Sequence, residues 1–209
     1  MRILITGGAT WAKIDKVRIL TNIFTGKTSL FLAKYFLKKK TEVTLLINPH
    51  CIESFPRSRN IKIIFFRYFD ELKKALKEEL KRNKYDAIIH TAAVSDYVLK
   101  RPFKGKIPSN RKKIELRLQP TQKLTKLIHS LAKNSFLVQF KLETKSKYIL
   151  KKAYRSLITN RFNLVIANVY RPQNKQYSAF IIDPSFTITK VSSLGELAQS
   201  LFDIFSSLK

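Results

Sequence analysis

A pair of glycines, Gly7 and Gly8, follows the apolar run "RILIT" near the start of the chain. Because glycine has no Cβ, backbone amides at such a position can approach a phosphate group closely. The pair therefore predicts a phosphate-binding turn after a buried strand. It is not a dinucleotide fingerprint: G-x-G-x-x-G is absent, and Trp11 and Lys13 stand where the dehydrogenase form T-G-x-x-x-G-x-G needs glycines.

A second set of residues imitates a dehydrogenase triad. Tyr148 and Lys152 have the spacing Y-x-x-x-K, and Ser135 lies thirteen residues before the tyrosine. One helix with surface lysines, in "KSKYILKKAYRSL", explains the same residues. Without the glycine fingerprint we favour the helix and expect neither NADH nor NADPH to bind.

The charge of the chain admits two explanations. Lys and Arg number 41 against 14 acidic residues, a formal net charge of +27. Such an excess is typical of proteins that bind polyanions, whether nucleic acid, membrane surfaces or phosphorylated small molecules. A lysine-biased composition explains it equally, because most cations fall on helix faces such as "ELKKALKEELKRNK". We favour the lysine-biased composition as the explanation of the charge, and we expect neither nucleic acid nor a membrane as partner.

Other residue counts narrow the class of protein. Cys51 is the only cysteine, which excludes an internal disulfide and a multi-cysteine zinc site. The three histidines are scattered, so we expect no transition-metal site. No apolar run is long enough for a membrane span or a secretory signal, and we therefore expect a cytoplasmic protein.

Strands and helices alternate in the pattern that would place the glycine turn. Over the first hundred residues this alternation indicates right-handed βαβ units and an α/β fold, with a doubly wound, mainly parallel, Rossmann-like sheet. We predict strands at 2–6, 42–47, 61–66, 86–93, 114–118, 136–140 and 163–168, helices at 27–39, 70–84, 121–133, 146–159 and 194–208, and a hairpin from "SAFIID" and "FTITKV". A basic flap covers about 99–118, and residues 1–209 form one domain.

The segment after the first strand resembles the phosphopantothenate–cysteine ligase family. The family pattern is roughly T-x-G-G-T-x-x-x-I-D-x-V-R-x-x-x-N-x-S-S-G-K, and a second family motif stands intact as "AAVSDY" at 92–97. A lysine motif at "GKIPS", then "QPTQKL", "QFKLET" and "NLVIAN", follow in the family order. The residues in register in the first motif are Thr6, Gly8, Thr10, Ile14, Asp15, Val17, Arg18, Asn22, Gly26 and Lys27.

The resemblance, which runs from residue 3 to about 170, implies a reaction in two halves. The 4′-phosphopantothenate carboxylate attacks the α-phosphate of CTP and releases pyrophosphate. The amine of L-cysteine then attacks the acyl-nucleotide, releasing CMP and forming the amide. Because a carboxylate and a triphosphate repel each other, cations and Mg²⁺ must screen the charge. CTP and ATP are not distinguished by the sequence.

The resemblance also implies roles for individual residues. Asn22 and Lys106 are the catalytic candidates, Asn22 at the acyl-nucleotide and Lys106 at the triphosphate. Asp96 is the candidate for Mg²⁺ or a ribose hydroxyl. His90 is either a nucleotide contact or a buried structural histidine, and Phe140 either stacks on the nucleotide or belongs to the core. The nucleotide-binding candidates are Gly7, Gly8, Gly26, Lys27, His90, Thr91, Ala92, Asp96, Lys106, Pro120, Thr121, Gln122, Lys123 and Phe140.

The chain departs from the family pattern at several positions. Phe24 replaces a hydroxyl residue and Ser29 a glycine in the S-S-G-K-M-G turn, and two family lysines fall near Ser156 and Asn160. Arg155 and Arg161 are each one residue away from those positions. Each lost phosphate contact costs about 1.5–3 kcal/mol. These departures leave open a diverged, non-catalytic protein that binds nucleotide or nucleic acid on the same fold.

The resemblance implies two further properties. Family members form homodimers in which the flap of one subunit closes over the site of the other, and we expect the same here. Because nothing precedes Met1 in the sequence, we also expect the stand-alone type, without the flavin decarboxylase domain that many bacteria fuse upstream.

Overall fold

An eight-stranded sheet with helices on both faces organises the chain in the computed structural model, which describes residues 1–52, 55, 58–170 and 176–208. The strands are β1 Arg2–Gly7, β2 Trp11–Lys13, β3 Ile19–Thr21, β4 Glu42–Ile47, β5 Ile61–Phe65, β6 Ala87–His90, β7 Tyr97–Leu99, β8 Leu118–Pro120, β9 Phe136–Glu143, β10 Leu164–Val169, β11 Ala179–Ile182 and β12 Ile188–Val191. The helices are α1 Lys27–Lys38, α2 Phe69–Arg82, α3 Leu124–Leu131, α4 Ile149–Asn160 and α5 Leu194–Ser206, with short 3₁₀ turns at Pro49–Cys51 and Ser146–Tyr148.

The strand order β12-β11-β10-β9-β6-β1-β4-β5 confirms the predicted doubly wound sheet. The pairs from β10 to β5 are parallel, and β11 and β12 add the predicted antiparallel hairpin. From β1 the chain builds outward through β4 and β5, then returns to place β6 on the other side of β1. The order therefore reverses between β1 and β6, and in such sheets ligands bind beyond the carboxyl ends of the strands at that point.

Two hydrophobic layers cover the sheet. Ile3 and Ile5 face one layer with α1 and α5, whereas Leu4 faces the other with α2, α3 and α4. Because both faces are buried, the central strands need apolar residues at successive positions, as parallel sheets generally do. This explains why the strands were recognisable as continuous apolar runs.

Two small antiparallel ribbons stand outside the main sheet: β2 pairs with β3, and β7 pairs with β8. The first ribbon was not predicted. The predicted strand at 114–118 is wrong, because residues 114–117 are irregular and the strand is β8, Leu118–Pro120. Ile114 is exposed and no sheet face covers it, so its alternation with Leu116 has no layer to bury against. Within the described residues no helix has the length and apolar character needed to cross a membrane.

Candidate functional site

The segments that follow β1 and β6 hydrogen-bond to each other beyond the ends of the strands. The carbonyl oxygen of Thr6 accepts from the amide of Thr91 at 3.2 Å, and that of Gly8 accepts from the amide of Ala93 at 2.9 Å. The Ala93 carbonyl in turn accepts from the amide of Thr10 at 3.2 Å. The glycine turn is thus held against the Ala92–Tyr97 motif at the point where the strand order reverses.

Gly8 and Gly26 build the turn itself. Both have left-handed backbones, with φ of 77° and 71°, which glycine adopts at little cost. A Cβ at Gly26 would lie 3.1 Å from the Gly8 amide nitrogen, and one at Gly8 would lie 2.7 Å from the Cys51 sulfur. The two glycines therefore pack backbone against backbone, and Cys51 packs next to both of them.

Helix α1 begins next to this turn. Gly26 is its N-cap, no side chain caps it, and its first turn holds no acidic residue. Its first backbone amides therefore remain available to an anion. The exposed Lys27 occupies the first position of the helix. These features give Gly8, Gly26 and the start of α1 the free amides and the open backbone that an anion such as a phosphate group could bind.

Asn22 lies directly after β3, and its side-chain amide donates to the Ala93 carbonyl at 3.1 Å. Next to it, the Thr21 hydroxyl donates to the Thr10 carbonyl at 3.0 Å. These two bonds fix the end of the β2–β3 ribbon over the glycine turn. Asn22 is exposed, so it can contact both solvent and a ligand.

Asp96 and the 120–123 segment meet on the other side of the motif. The Thr121 amide donates to the Asp96 carbonyl at 2.9 Å, and the Thr121 hydroxyl donates to the Ser95 carbonyl at 2.7 Å. Lys123 lies 2.5 Å from the Asp96 carboxylate, and both side chains are 63% exposed. Pro120 pairs with Tyr97 in the second ribbon, and Gln122 is exposed.

His90 is buried at the end of β6. Its Nδ1 lies 2.8 Å from the Thr6 hydroxyl. Burial disfavours the charged imidazolium and lowers the pKa of His90 to about 4. The side chain is therefore neutral at physiological pH and orders the ends of β1 and β6. The following residues, Thr91 and Ala92, are partly exposed at the carboxyl edge.

Phe140 and Lys106 are the remaining candidates, and Phe140 lies at the carboxyl edge of the sheet because it follows Gln139, which pairs with His90. Phe140, in β9, is half-buried and packs against the layer that contains α1 and α5. Lys106 is exposed on the flap. Among the described residues, no hydrogen bond or ion pair joins the Lys106 side chain to Asn22 or Asp96. The structure therefore brings together the glycines, Asn22 and the Ala92–Tyr97 motif. The position of Lys106 relative to them is set by the contacts that hold the flap.

The positions at which the family carries two lysines form a neutral cluster here. Asn160 donates to Gln139 at 2.9 Å and to Ser156 at 3.1 Å, and its oxygen accepts from Thr125 at 3.0 Å. The cluster packs between α3, α4 and β9. Arg155 and Arg161 are exposed, and the register of α4 leaves Ser156 and Asn160 in the cluster.

Sequence reasoning gave no role in the site to three residues that shape it. Thr10, which is buried, accepts from the Ser95 amide at 2.8 Å and ties the two loops together. Cys51 and Asn48 follow β4, and the Asn48 amide donates to the Ala9 carbonyl at 2.8 Å. Since parallel strands end at the same edge, the position of Asn48 and Cys51 just after a strand was the signal that could have identified them.

Comparisons with known proteins identify relatives of this chain. The sequence model of the "DNA/pantothenate metabolism flavoprotein C-terminal domain" family matches residues 1–204. The coenzyme A biosynthesis bifunctional protein CoaBC of Thermococcus kodakarensis is 30% identical over 206 residues, covering 97% of this chain and 50% of that protein. The chain thus spans about half the length of the curated relatives that it matches.

Solved structures share the fold. The DNA/pantothenate metabolism flavoprotein of Streptococcus pneumoniae superposes with a TM-score of 0.90 at 25% identity, each chain covered completely at 100%. A Cab2 mutant in complex with phosphopantothenate-cysteine has a TM-score of 0.79 at 20% identity, over 99% of this chain and 87% of that one, and shows the fold alone. The match over nearly the whole length, together with the glycine turn and the "AAVSDY" segment, establishes that this chain belongs to the DNA/pantothenate metabolism flavoprotein C-terminal domain family.

Proposed function

We propose that the chain is a phosphopantothenate–cysteine ligase, which uses CTP to join 4′-phosphopantothenate to L-cysteine. The observation that carries the proposal is the contact of Asn22 with Ala93 directly above the turn formed by Gly8 and Gly26. This contact supports the proposal because acyl-nucleotide chemistry needs a side-chain amide next to groups that could hold the phosphates. The CoaBC relatives, named for coenzyme A biosynthesis, support the same reaction.

The first half-reaction needs charge neutralisation. The phosphopantothenate carboxylate forms a bond to the α-phosphorus of CTP, and the bond to pyrophosphate breaks. The amides at Gly8, Gly26 and the start of α1 supply fixed dipoles for the phosphates, and Lys27 and Lys106 supply positive charge. These groups lower the repulsion between the carboxylate and the triphosphate.

The second half-reaction needs a group that serves an oxyanion and an amine together. The cysteine nitrogen attacks the acyl carbon, the amine proton is released, and CMP leaves with the bonding electrons. The Asn22 amide can donate to the developing oxyanion and accept from the amine. Its bond to the Ala93 carbonyl orients the side chain before substrate arrives.

Magnesium would bind at Asp96 together with triphosphate oxygens. Among the described residues, no group of three or more His, Cys, Asp or Glu side chains could hold a metal ion. A single exposed carboxylate fits Mg²⁺, which usually binds through one or two carboxylates plus substrate phosphates. When bound, the ion would screen phosphate charge.

We also propose a homodimer. The two ribbons and the residues next to them expose large apolar side chains, among them Val17 at 64%, Ile23 at 70%, Tyr97 at 55% and Leu118 at 44%. Clusters of exposed apolar residues typically mark protein interfaces. The ribbons flank the site, so a second copy packed there would adjoin both active sites. Sedimentation equilibrium tests the assembly, and a monomer at micromolar concentration would refute it.

The reaction is tested by mixing the protein with Mg²⁺, CTP, 4′-phosphopantothenate and L-cysteine. We expect the amide product and sustained pyrophosphate release to depend on all four components, whereas the pyrophosphate of the first turnover should form without L-cysteine. The same assay with ATP decides the nucleotide preference. Absence of both products with either nucleotide would overturn the ligase proposal.

A diverged nucleotide- or nucleic-acid-binding protein is the second candidate. The neutral cluster at Ser156 and Asn160, in place of two family lysines, favours it, as does the net charge of +27. It predicts binding to arbitrary DNA or RNA that weakens steeply with salt, through counterion release. Micromolar CTP affinity with no nucleic-acid retention at about 150 mM salt would count against it.

A further inference from the structure

A buried carboxylate attaches the flap to the β2–β3 ribbon. Asp15, in the turn between the two strands, has a side chain with 0% exposure. Its Oδ2 accepts from the Ile107 amide at 2.9 Å, and its Oδ1 accepts from the amides of Val17 and Arg18 at 2.8 and 2.7 Å. The Arg18 guanidinium lies 2.5 Å from Oδ2. One carboxylate thus joins its own turn to a residue 92 positions away.

Two further bonds connect the same segments. The Phe103 amide donates to the Ile14 carbonyl at 2.8 Å, and the Arg18 guanidinium donates to the Ile107 carbonyl at 3.2 Å. Ile107 itself is buried, at 3% exposure. The flap is therefore pinned on either side of Lys106, at Phe103 and at Ile107.

Residues 104–106 form an arch between the two pins. Lys104 and Lys106 are exposed, and a Cβ at Gly105 would meet nothing within 4 Å. The arch makes no close backbone packing of its own at Gly105, so its position follows from the pins. Lys106 directly precedes the residue that Asp15 holds.

The bonds also show that Asp15 does more than close its own turn. A turn of this kind needs only the Val17 and Arg18 amides, which Oδ1 already accepts. The pKa of Asp15 is held well below its usual range, and the hydrogen bond from the Ile107 amide lowers it more than those from the Val17 and Arg18 amides. An ionised carboxylate with four donors is the stronger class of hydrogen-bonded group.

We propose that Asp15 is a positioning residue that fixes Lys106 on the flap, an inference that rests on the proposed function. Asn22 follows β3 directly, and the Asp15 turn precedes β3. The same short ribbon therefore carries one catalytic candidate and clamps the flap segment that carries the other. In the expected homodimer, the ribbon of each subunit therefore carries the Asn22 of one site and holds the Lys106 that its flap brings to the other.

Asp15→Asn tests the anchor without reference to activity. The amide loses the ion pair with Arg18 and keeps one acceptor oxygen. We expect hydrogen exchange at the Ile107 amide to accelerate about tenfold or more, and trypsin to cut faster after Lys104 and Lys106. Asp183→Asn is the matched control, because Asp183 accepts from Thr187 in the β11–β12 turn at 2.8 Å. It should leave exchange and cleavage of the flap unchanged.

Kinetics then test the coupling to Lys106. We expect Asp15→Asn to lower kcat about tenfold or more with little change in the KM for cysteine. In a Lys106→Ala background, the same substitution should lower kcat less than about twofold, because the residue it positions is gone. Equal losses in both backgrounds would overturn the positioning role, and unchanged exchange at Ile107 would overturn the anchor.

Two controls keep the outcomes separate. If Asp15→Asn does not fold, Arg18→Gln is measured in the same ways, since it removes the guanidinium bonds to the Ile107 carbonyl and to Asp15 Oδ2 and leaves the carboxylate with its three amide donors. A wild-type protein without ligase activity would refute the proposed function and the catalytic part of this inference. The exchange measurement would still decide whether Asp15 anchors the flap.

Discussion

Gly7 and Ser29 occupy one space between β1 and α1. A Cβ built at Gly7 would lie 2.3 Å from the Ser29 Cβ and even closer to its hydroxyl oxygen. Ser29 is buried and its hydroxyl donates to the Gly26 carbonyl at 2.7 Å. The family pattern that this chain resembles has glycine at the position of Ser29. The side chain that Ser29 adds to α1 therefore fits because Gly7 in β1 has none.

Gly7→Ala should destabilise the protein by about 1–3 kcal/mol, because the new methyl group overpacks against Ser29. The double variant Gly7→Ala/Ser29→Gly should recover part of that loss, with a coupling free energy of about 1 kcal/mol or more in urea unfolding. Gly105→Ala is the control, since nothing lies within 4 Å of its Cβ, and should change stability by no more than about 0.5 kcal/mol. Additive effects of the two substitutions would contradict the shared space.

The sheet and the core of the site were predictable because burial leaves a clear pattern in a sequence. Central strands covered on both faces are continuous apolar runs, and parallel strands deliver their following residues to one edge. Gly8 and Ala92 were therefore expected near each other, and they are joined through Ala93. Short exposed elements leave no such pattern, which is why β2 and β3, of three residues each, were missed.

In the flap, a strand was predicted at 114–118 where most of the residues form none. Ile114, Leu116 and Leu118 alternate like a half-buried strand, yet Ile114 and Leu118 are exposed and only the last begins β8. Local alternation cannot report whether a layer exists to cover it. The hydrogen bond from the Ile107 amide to Asp15 could not be predicted either, because the two residues are 92 positions apart and no local sequence pattern relates them.

Asn22→Ala should abolish the amide product while leaving the fold intact. The side chain is exposed and makes one hydrogen bond within the described part of the chain, so we expect the free energy of unfolding to change by no more than about 0.5 kcal/mol. Pyrophosphate should still form in the first turnover, because the first half-reaction does not need this amide. Mass spectrometry of the product mixture measures both species. Unchanged amide formation would remove Asn22 from the second half-reaction.

The Asp96–Lys123 ion pair should matter for the metal ion rather than for folding. Both side chains are 63% exposed, so breaking the pair should cost no more than about 1 kcal/mol of stability. Asp96→Asn should raise the Mg²⁺ concentration for half-maximal pyrophosphate release by about tenfold. Lys123→Ala should not raise it, because the carboxylate loses a competing cation. Identical Mg²⁺ dependence in wild type and Asp96→Asn would exclude Asp96 as a ligand.

The burial of His90 should make folding stability depend on pH. Its pKa is about 4 in the folded state against an ordinary value of 6.5, so the unfolded chain binds the additional proton between these values. Stability from this group is complete above pH 6.5 and is lost as the pH falls towards 4. The loss amounts to about 3 kcal/mol at most.

In His90→Asn, the free energy of unfolding in urea should therefore decline less between pH 7 and pH 4.5, even though the variant is less stable at pH 7. An NMR titration of the imidazole, assigned by its disappearance in that variant, measures the pKa directly. A midpoint near 6.5, or an equal decline in both proteins, would show that burial does not hold this imidazole neutral.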